Sequence, residues 1–80
     1  MSDPKTVEKI ENNFVYHAPF GNQPERYESI RSQAKALALF VAQNTPSSRE
    51  QSVALTKLEE VVFWANAAIG RNEKPEAMAA

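Results

Sequence analysis

Apolar residues recur along most of this chain at alternating gaps of three and four, the repeat that lines one face of an α-helix. Tyr27, Ile30, Ala34, Leu37 and Val41 follow it, and so do Leu55, Leu58, Val62, Ala65 and Ile69. The first series predicts a helix from about Pro24 to Gln43. Pro24 suits a first helical position, Glu25 complements the positive end of the helix dipole, and neither Gly nor Pro interrupts until Pro46. The second series predicts a helix that starts within NTPSSREQ (Asn44 to Gln51) and runs to about Ile69, with Gly70 as its terminator. Three starts fit that segment: Thr45 as the cap, Ser47 with Glu50, or Ser48 with Gln51. A shorter helix is expected from about Asp3 to Asn13, capped by Ser2 or Asp3, with Pro4 in its first turn and Val7 and Ile10 on its apolar face. At that length it is not stable alone and must dock on something.

The apolar pattern is wider than this layout needs. Ala54, Val61, Trp64 and Ala68 form a second stripe beside the first on the last helix, and ALALFVA (Ala36 to Ala42) is apolar all round. A single partner helix covers neither. The expected fold is all-α: a short N-terminal helix plus an antiparallel two-helix hairpin, assembled as a compact homo-oligomer that buries the surplus. The corresponding divisions are residues 1–13 for the short helix, 14–72 for the hairpin with its preceding loop, and 73–80 for a flexible tail.

Composition narrows what such a molecule does. Eighty residues make one domain near the lower size limit for a self-sufficient core. With no Cys and one His, disulfides, thiolate chemistry and His-rich metal sites are out of reach, and no cofactor is expected. Nine basic against ten acidic residues give a formal net charge of −1, unlike the basic excess of proteins that wrap DNA or RNA polymers. No apolar run approaches the roughly 20 residues that span a bilayer, and the opening MSDPKTVEKIENN lacks a signal-like stretch, so no membrane partner and an intracellular location are expected.

Enzymatic chemistry finds little support. There is no Gly-x-Ser-x-Gly elbow and no Gly-rich phosphate loop, since Gly21 and Gly70 are the only glycines. Glu59 and Glu60 are adjacent, so they point about 100° apart on a helix and cannot form a matched acid/base pair. The segment NNFVYHAPFGNQPERY (Asn12 to Tyr27) is more informative. It sets Phe14, Tyr16 and Phe20 in a loop with His17, Pro19 and Gly21, ahead of a helix bearing Arg26, Arg31 and Lys35. One reading makes the rings a plug for the open end of the hairpin. The other makes them platforms for nucleobases, each stack worth about 1–3 kcal/mol, with phosphate held by the nearby cations and helix N-terminus. Arg31 and Lys35 share a face and repel unless an anion lies nearby, although Glu28 is also in reach of Arg31. Farther along, Asn66 inside VVFWANAAIG needs hydrogen-bond partners, met by a cross-subunit bond or a ligand. Arg71 sits where a helix C-terminus favours a cation.

These segments resemble a known family. Tyr16-His17-Ala18-Pro19, Arg26-Tyr27-x-x-Ile30-Arg31, Ser48-Arg49-Glu50-Gln51, Leu55-Thr56-Lys57-Leu58-Glu59-Glu60 and Trp64-Ala65-Asn66-Ala67 together look like the helical-hairpin domain of phage anti-CBASS sponges, shared with a class of anti-Thoeris sponges. The resemblance covers about Phe14 to Asn72. It implies a non-enzymatic protein that sequesters cyclic oligonucleotide second messengers in the cytoplasm of an infected bacterial host. It further implies a homohexamer with cyclic dinucleotides such as cGAMP between protomers, and in some members cyclic trinucleotides at separate sites. On this pattern Tyr16 is the stacking ring and Arg31 the phosphate ligand, with His17, Pro19, Arg26 and Lys35 as neighbours. Arg71, with Asn66 and Asn72, falls to the trinucleotide site. Gly70 replaces a helix-forming Ala of the family pattern, which implies an early helix end and a displaced Arg71. The alternative is a helical oligomerisation or protein-interaction module with no nucleotide ligand.

Overall fold

The computed structural model of the chain describes residues 3–75. They form three helices, α1 (Pro4–Asn13), α2 (Gln23–Asn44) and α3 (Arg49–Asn72), and no strand. Pro4 and Pro24 each lie in a first turn, as expected. Asp3 occupies the cap position of α1, but its side chain makes no capping bond.

The α2–α3 connection closes through two residues. Ser48 is the cap of α3 and its Oγ accepts the Gln51 N–H at 3.1 Å. Of the three starts compatible with the sequence, the structure therefore takes Ser48 with Gln51. The Gln51 side chain does not return to Ser48. It crosses the turn, where Nε2 donates to the Thr45 carbonyl at 3.0 Å and the Ala42 carbonyl at 3.3 Å. One glutamine thus satisfies carbonyls that the end of α2 leaves without helical partners. Thr45 Oγ1 donates to the Val41 carbonyl at 2.7 Å and Asn44 Nδ2 to the Phe40 carbonyl at 2.8 Å, finishing the same turn.

Along the seam, Tyr27, Ile30, Ala34 and Val41 of α2 and all five residues of the first α3 stripe are half-buried. Leu37 stays exposed, its place at the seam taken by half-buried Ala38. The other apolar positions face outward: Phe40 keeps 62% and Trp64 65% of its surface in solvent. Among the described residues no hydrophobic side chain is buried at all. The shape explains this. Cα atoms span 47 × 38 × 16 Å, and of the three helices only α2 and α3 make an extensive contact. The radius of gyration is 16.6 Å, against about 12 Å for a compact chain of this length. Among the described residues α2 and α3 form one layer, and no other element packs broadly over either face.

Gly70 corrects an expectation. The helix does not stop there; α3 continues to Asn72, and the Glu73 N–H closes it on the Ile69 carbonyl at 3.2 Å. Arg71 therefore stands in the last helical turn rather than beyond it. Gly70 lies instead where α3 passes Tyr27: a Cβ added to it would meet the Tyr27 hydroxyl oxygen at 3.4 Å. That separation is ordinary van der Waals contact, and a glycine inside a helix costs about 0.5–1 kcal/mol relative to alanine. Gly70→Ala is expected to stabilise the protein by about that amount, read as a higher midpoint in thermal unfolding at fixed protein concentration. A lower midpoint would mean that the tyrosine cannot yield.

Candidate functional site

The loop between α1 and α2 is held at both ends and bare in the middle. On its N-terminal side, His17 Nε2 donates to the Asn12 carbonyl at 2.8 Å, which folds the loop back on the end of α1. Asn12 Nδ2 in turn donates to the Arg71 carbonyl at 3.0 Å, docking α1 on the last turn of α3. On its C-terminal side, Gly21 adopts a left-handed φ of 57°, and the Gln23 N–H bonds to the Phe20 carbonyl at 3.0 Å. The Phe20 N–H is answered by Gln23 Oε1 at 3.2 Å, so one residue closes the turn from both sides.

Gln23 is only 2% exposed, the one buried residue among those described. Its remaining polar group, Nε2, donates to Glu73 Oε1 at 3.1 Å. The Glu73 carboxylate also receives both terminal nitrogens of Arg26, Nη1 at 2.8 Å on Oε2 and Nη2 on Oε1. Arg26 Nε donates to Asn22 Oδ1 at 3.1 Å. A bidentate guanidinium–carboxylate fork of this kind fixes orientation as well as supplying charge-assisted bonds. Arg26 and then Gln23 hold the Glu73 carboxyl down to about 2 from an ordinary 4.5, while Glu73 raises the Arg26 guanidinium. Neither Gln23 nor Glu73 stands out among the residues of the sequence. A glutamine at a helix start and a glutamate after a helix end both read as solvated, and Glu73 fell in the expected tail. That tail's residues 76–80 lie outside the described part.

Between these anchors the rings project outward. Tyr16 is 82% exposed and Phe14 85%, so neither plugs the hairpin within this chain; only Phe20 is partly covered. Pro19 is exposed as well. Arg26, expected among the ligand neighbours, is engaged in the Glu73 fork. Arg31 forms an exposed ion pair with Glu28, three residues back. Arg31, Lys35 and Glu59 line a groove of about 440 Å³ between α2 and α3, whose apolar surface includes Ala34, Ala38, Leu58 and Val62. Tyr16 is not part of that lining.

The second group of candidates is scattered. Arg71 lines a cavity of about 720 Å³ with Lys5, Glu8, Lys9 and Lys74, and a smaller one of about 260 Å³ that includes His17. Asn72 Nδ2 is occupied by the Ala68 carbonyl at 2.9 Å. Asn66 is the unusual member: its Oδ1 is buried and accepts no hydrogen bond from the described residues. Lys57 pairs with Glu60 at 3.6 Å, an ordinary helix-surface contact.

The architecture is thus an all-α hairpin whose N-terminal loop is clamped at the open end. Over residues 6–70 the chain matches the Acb2/Tad1 hairpin domain, and it belongs to that family, which is the family of the anti-CBASS and anti-Thoeris sponges. No curated protein and no solved structure matches it. No helix among the described residues is long and apolar enough to cross a membrane.

The fork has a pH signature. Because the Glu73 carboxyl is depressed in the folded state, its contribution is complete above the ordinary value near 4.5 and fades as pH falls toward about 2. The stability difference between the native chain and Glu73→Gln is expected to stay level from neutral pH to about 5, then shrink on further acidification. Urea unfolding of both proteins at stepped pH measures it; a difference that stays constant down to the acid limit would show that the ion pair adds nothing.

Proposed function

We propose that this protein is a phage immune-evasion sponge. It binds cyclic oligonucleotide second messengers without cleaving them and so withholds them from CBASS-type antiviral effectors in the host cytoplasm. Membership of the Acb2/Tad1 hairpin family carries this reading. Two features of the chain support it. The Tyr16 ring stands free in solvent on an anchored loop, which suits a stacking platform, and Arg31 with Lys35 supplies two cations in an apolar-lined groove. A cyclic dinucleotide presents two nucleobases and two phosphates, the complement of rings and cations.

Ring and groove do not belong to one cavity of a single chain, and this favours a site completed by a second copy. A homohexamer supplies such sites and also covers Phe40, Phe63 and Trp64, which a single helical layer leaves in water. Cyclic trinucleotides fit the second group around Arg71, with Asn66 offering an unused acceptor. The rival reading is a helical interaction module without a nucleotide ligand, which the exposed apolar faces also suit.

Calorimetric titration against a panel of cyclic di- and trinucleotides, scored by stoichiometry per assembly, separates the two. Ligand present at a hundred times its Kd should stabilise the protein by about 2.7 kcal/mol, and heating the complex should return intact ligand. Linearised product would point to an enzyme. Tyr16→Ala should weaken binding by about 1–3 kcal/mol, roughly five- to 150-fold in Kd, with the assembly intact. Arg31→Ala should likewise lose affinity. Trp64→Glu, in contrast, should shift the sedimentation of the unliganded protein toward smaller species; unchanged sedimentation would remove that face from the interface.

A further inference from the structure

Both anchors of the Tyr16 loop lead to the end of α3, one to Arg71 and the other to Glu73 just beyond it. The N-terminal anchor runs from His17 to the Asn12 carbonyl, and from the Asn12 amide to the Arg71 carbonyl. The C-terminal anchor runs from Phe20 to Gln23, and from Gln23 to the Glu73 carboxylate. The second is the more demanding, because Gln23 is buried and its Nε2 would be left without an acceptor if Glu73 were removed. Glu73 lies beyond residues 6–70, the span that matches the family, so the carboxylate that completes this anchor comes from outside the matched segment.

We infer that Glu73 is a positioning residue for ligand binding: through Gln23 and Arg26 its carboxylate fixes the loop that presents Tyr16. The inference rests on the reading of Tyr16 as a ligand platform. The mechanism is preorganisation. A ring on a loop already fixed loses less conformational freedom on stacking than one on a loose segment, and the difference goes into affinity. Glu73 touches no ligand in this account. The charged and titratable groups around it are Arg26 from α2, and Arg71, Lys74 and His17, which line a cavity with it. Of these, Arg26 favours the ionised carboxylate on which the anchor depends.

Amide hydrogen exchange of the unliganded protein and titration with 3′,3′-cyclic GMP-AMP test this together. In Glu73→Ala, exchange at Phe20 and Gln23 should rise about tenfold or more, as expected for loss of a bond to a charged partner, with the amides of Ile30 to Phe40 unchanged. Glu73→Gln keeps a carbonyl acceptor for Gln23 and should retain most of that protection. Affinity for the dinucleotide should fall about tenfold in Glu73→Ala and less in Glu73→Gln, following the loop rather than global stability. Unchanged loop exchange in Glu73→Ala would overturn the inference. So would a rise shared equally by the middle of α2, or a freed loop with undiminished affinity. A native protein that does not bind 3′,3′-cyclic GMP-AMP while its loop still depends on Glu73 would count against Tyr16 as the platform for that ligand, and would leave the anchor standing.

Discussion

Two helices meet along one seam, and every other property of this protomer follows from how little that seam can hide. The α2–α3 contact half-buries one stripe on each helix and leaves the rest of an apolar-rich surface in water. Among the described residues no other element packs broadly over the pair to cover that surface. Stable domains bury apolar faces between packed layers, and a single layer has only its edges to work with. Association with further copies is the direct way to add a layer, and the clefts it would create lie between surfaces that are incomplete alone.

The order that the chain does possess is concentrated in polar links. Gln23 is the one buried residue among those described, and the Arg26–Glu73 fork and the Gln23–Glu73 bond join positions about fifty apart in the chain. Charge-assisted bonds of this geometry are directional, so they fix orientation where a thin apolar seam would allow sliding. A second clamp stands at the opposite end, where Gln51 ties α3 back to the end of α2. Each end of the hairpin is therefore closed by a glutamine, Gln23 on the Glu73 carboxylate and Gln51 on the Ala42 and Thr45 carbonyls. The consequence for the site is a loop with fixed ends and exposed rings.

Much of this was legible in the residues. The three-and-four spacing located both long helices, Pro4 and Pro24 marked two starts, and the width of the apolar stripes foretold a surface one partner helix could not cover. The resemblance carried by Tyr16-His17-Ala18-Pro19 and Trp64-Ala65-Asn66-Ala67 agrees with membership of the Acb2/Tad1 hairpin family. Gly70 misled because a glycine after a periodic run usually ends a helix, whereas here it lacks the positive φ of a helix-ending glycine and α3 runs on to Asn72. The capping choice at Ser48 stayed open because three serine or threonine positions offered equivalent local chemistry.

What the sequence determined by itself was periodicity: which stretches are helical, and that their apolar surface exceeds one seam. These are local or summed properties, set by side-chain spacing and type. Only the folded chain decided that Gln23 is buried, that Arg26 faces Glu73 across 47 positions, and that Asn12 docks on Arg71. Such pairings depend on where two helix ends arrive in space, and polar residues at helix ends look alike in sequence whether they meet solvent or one another.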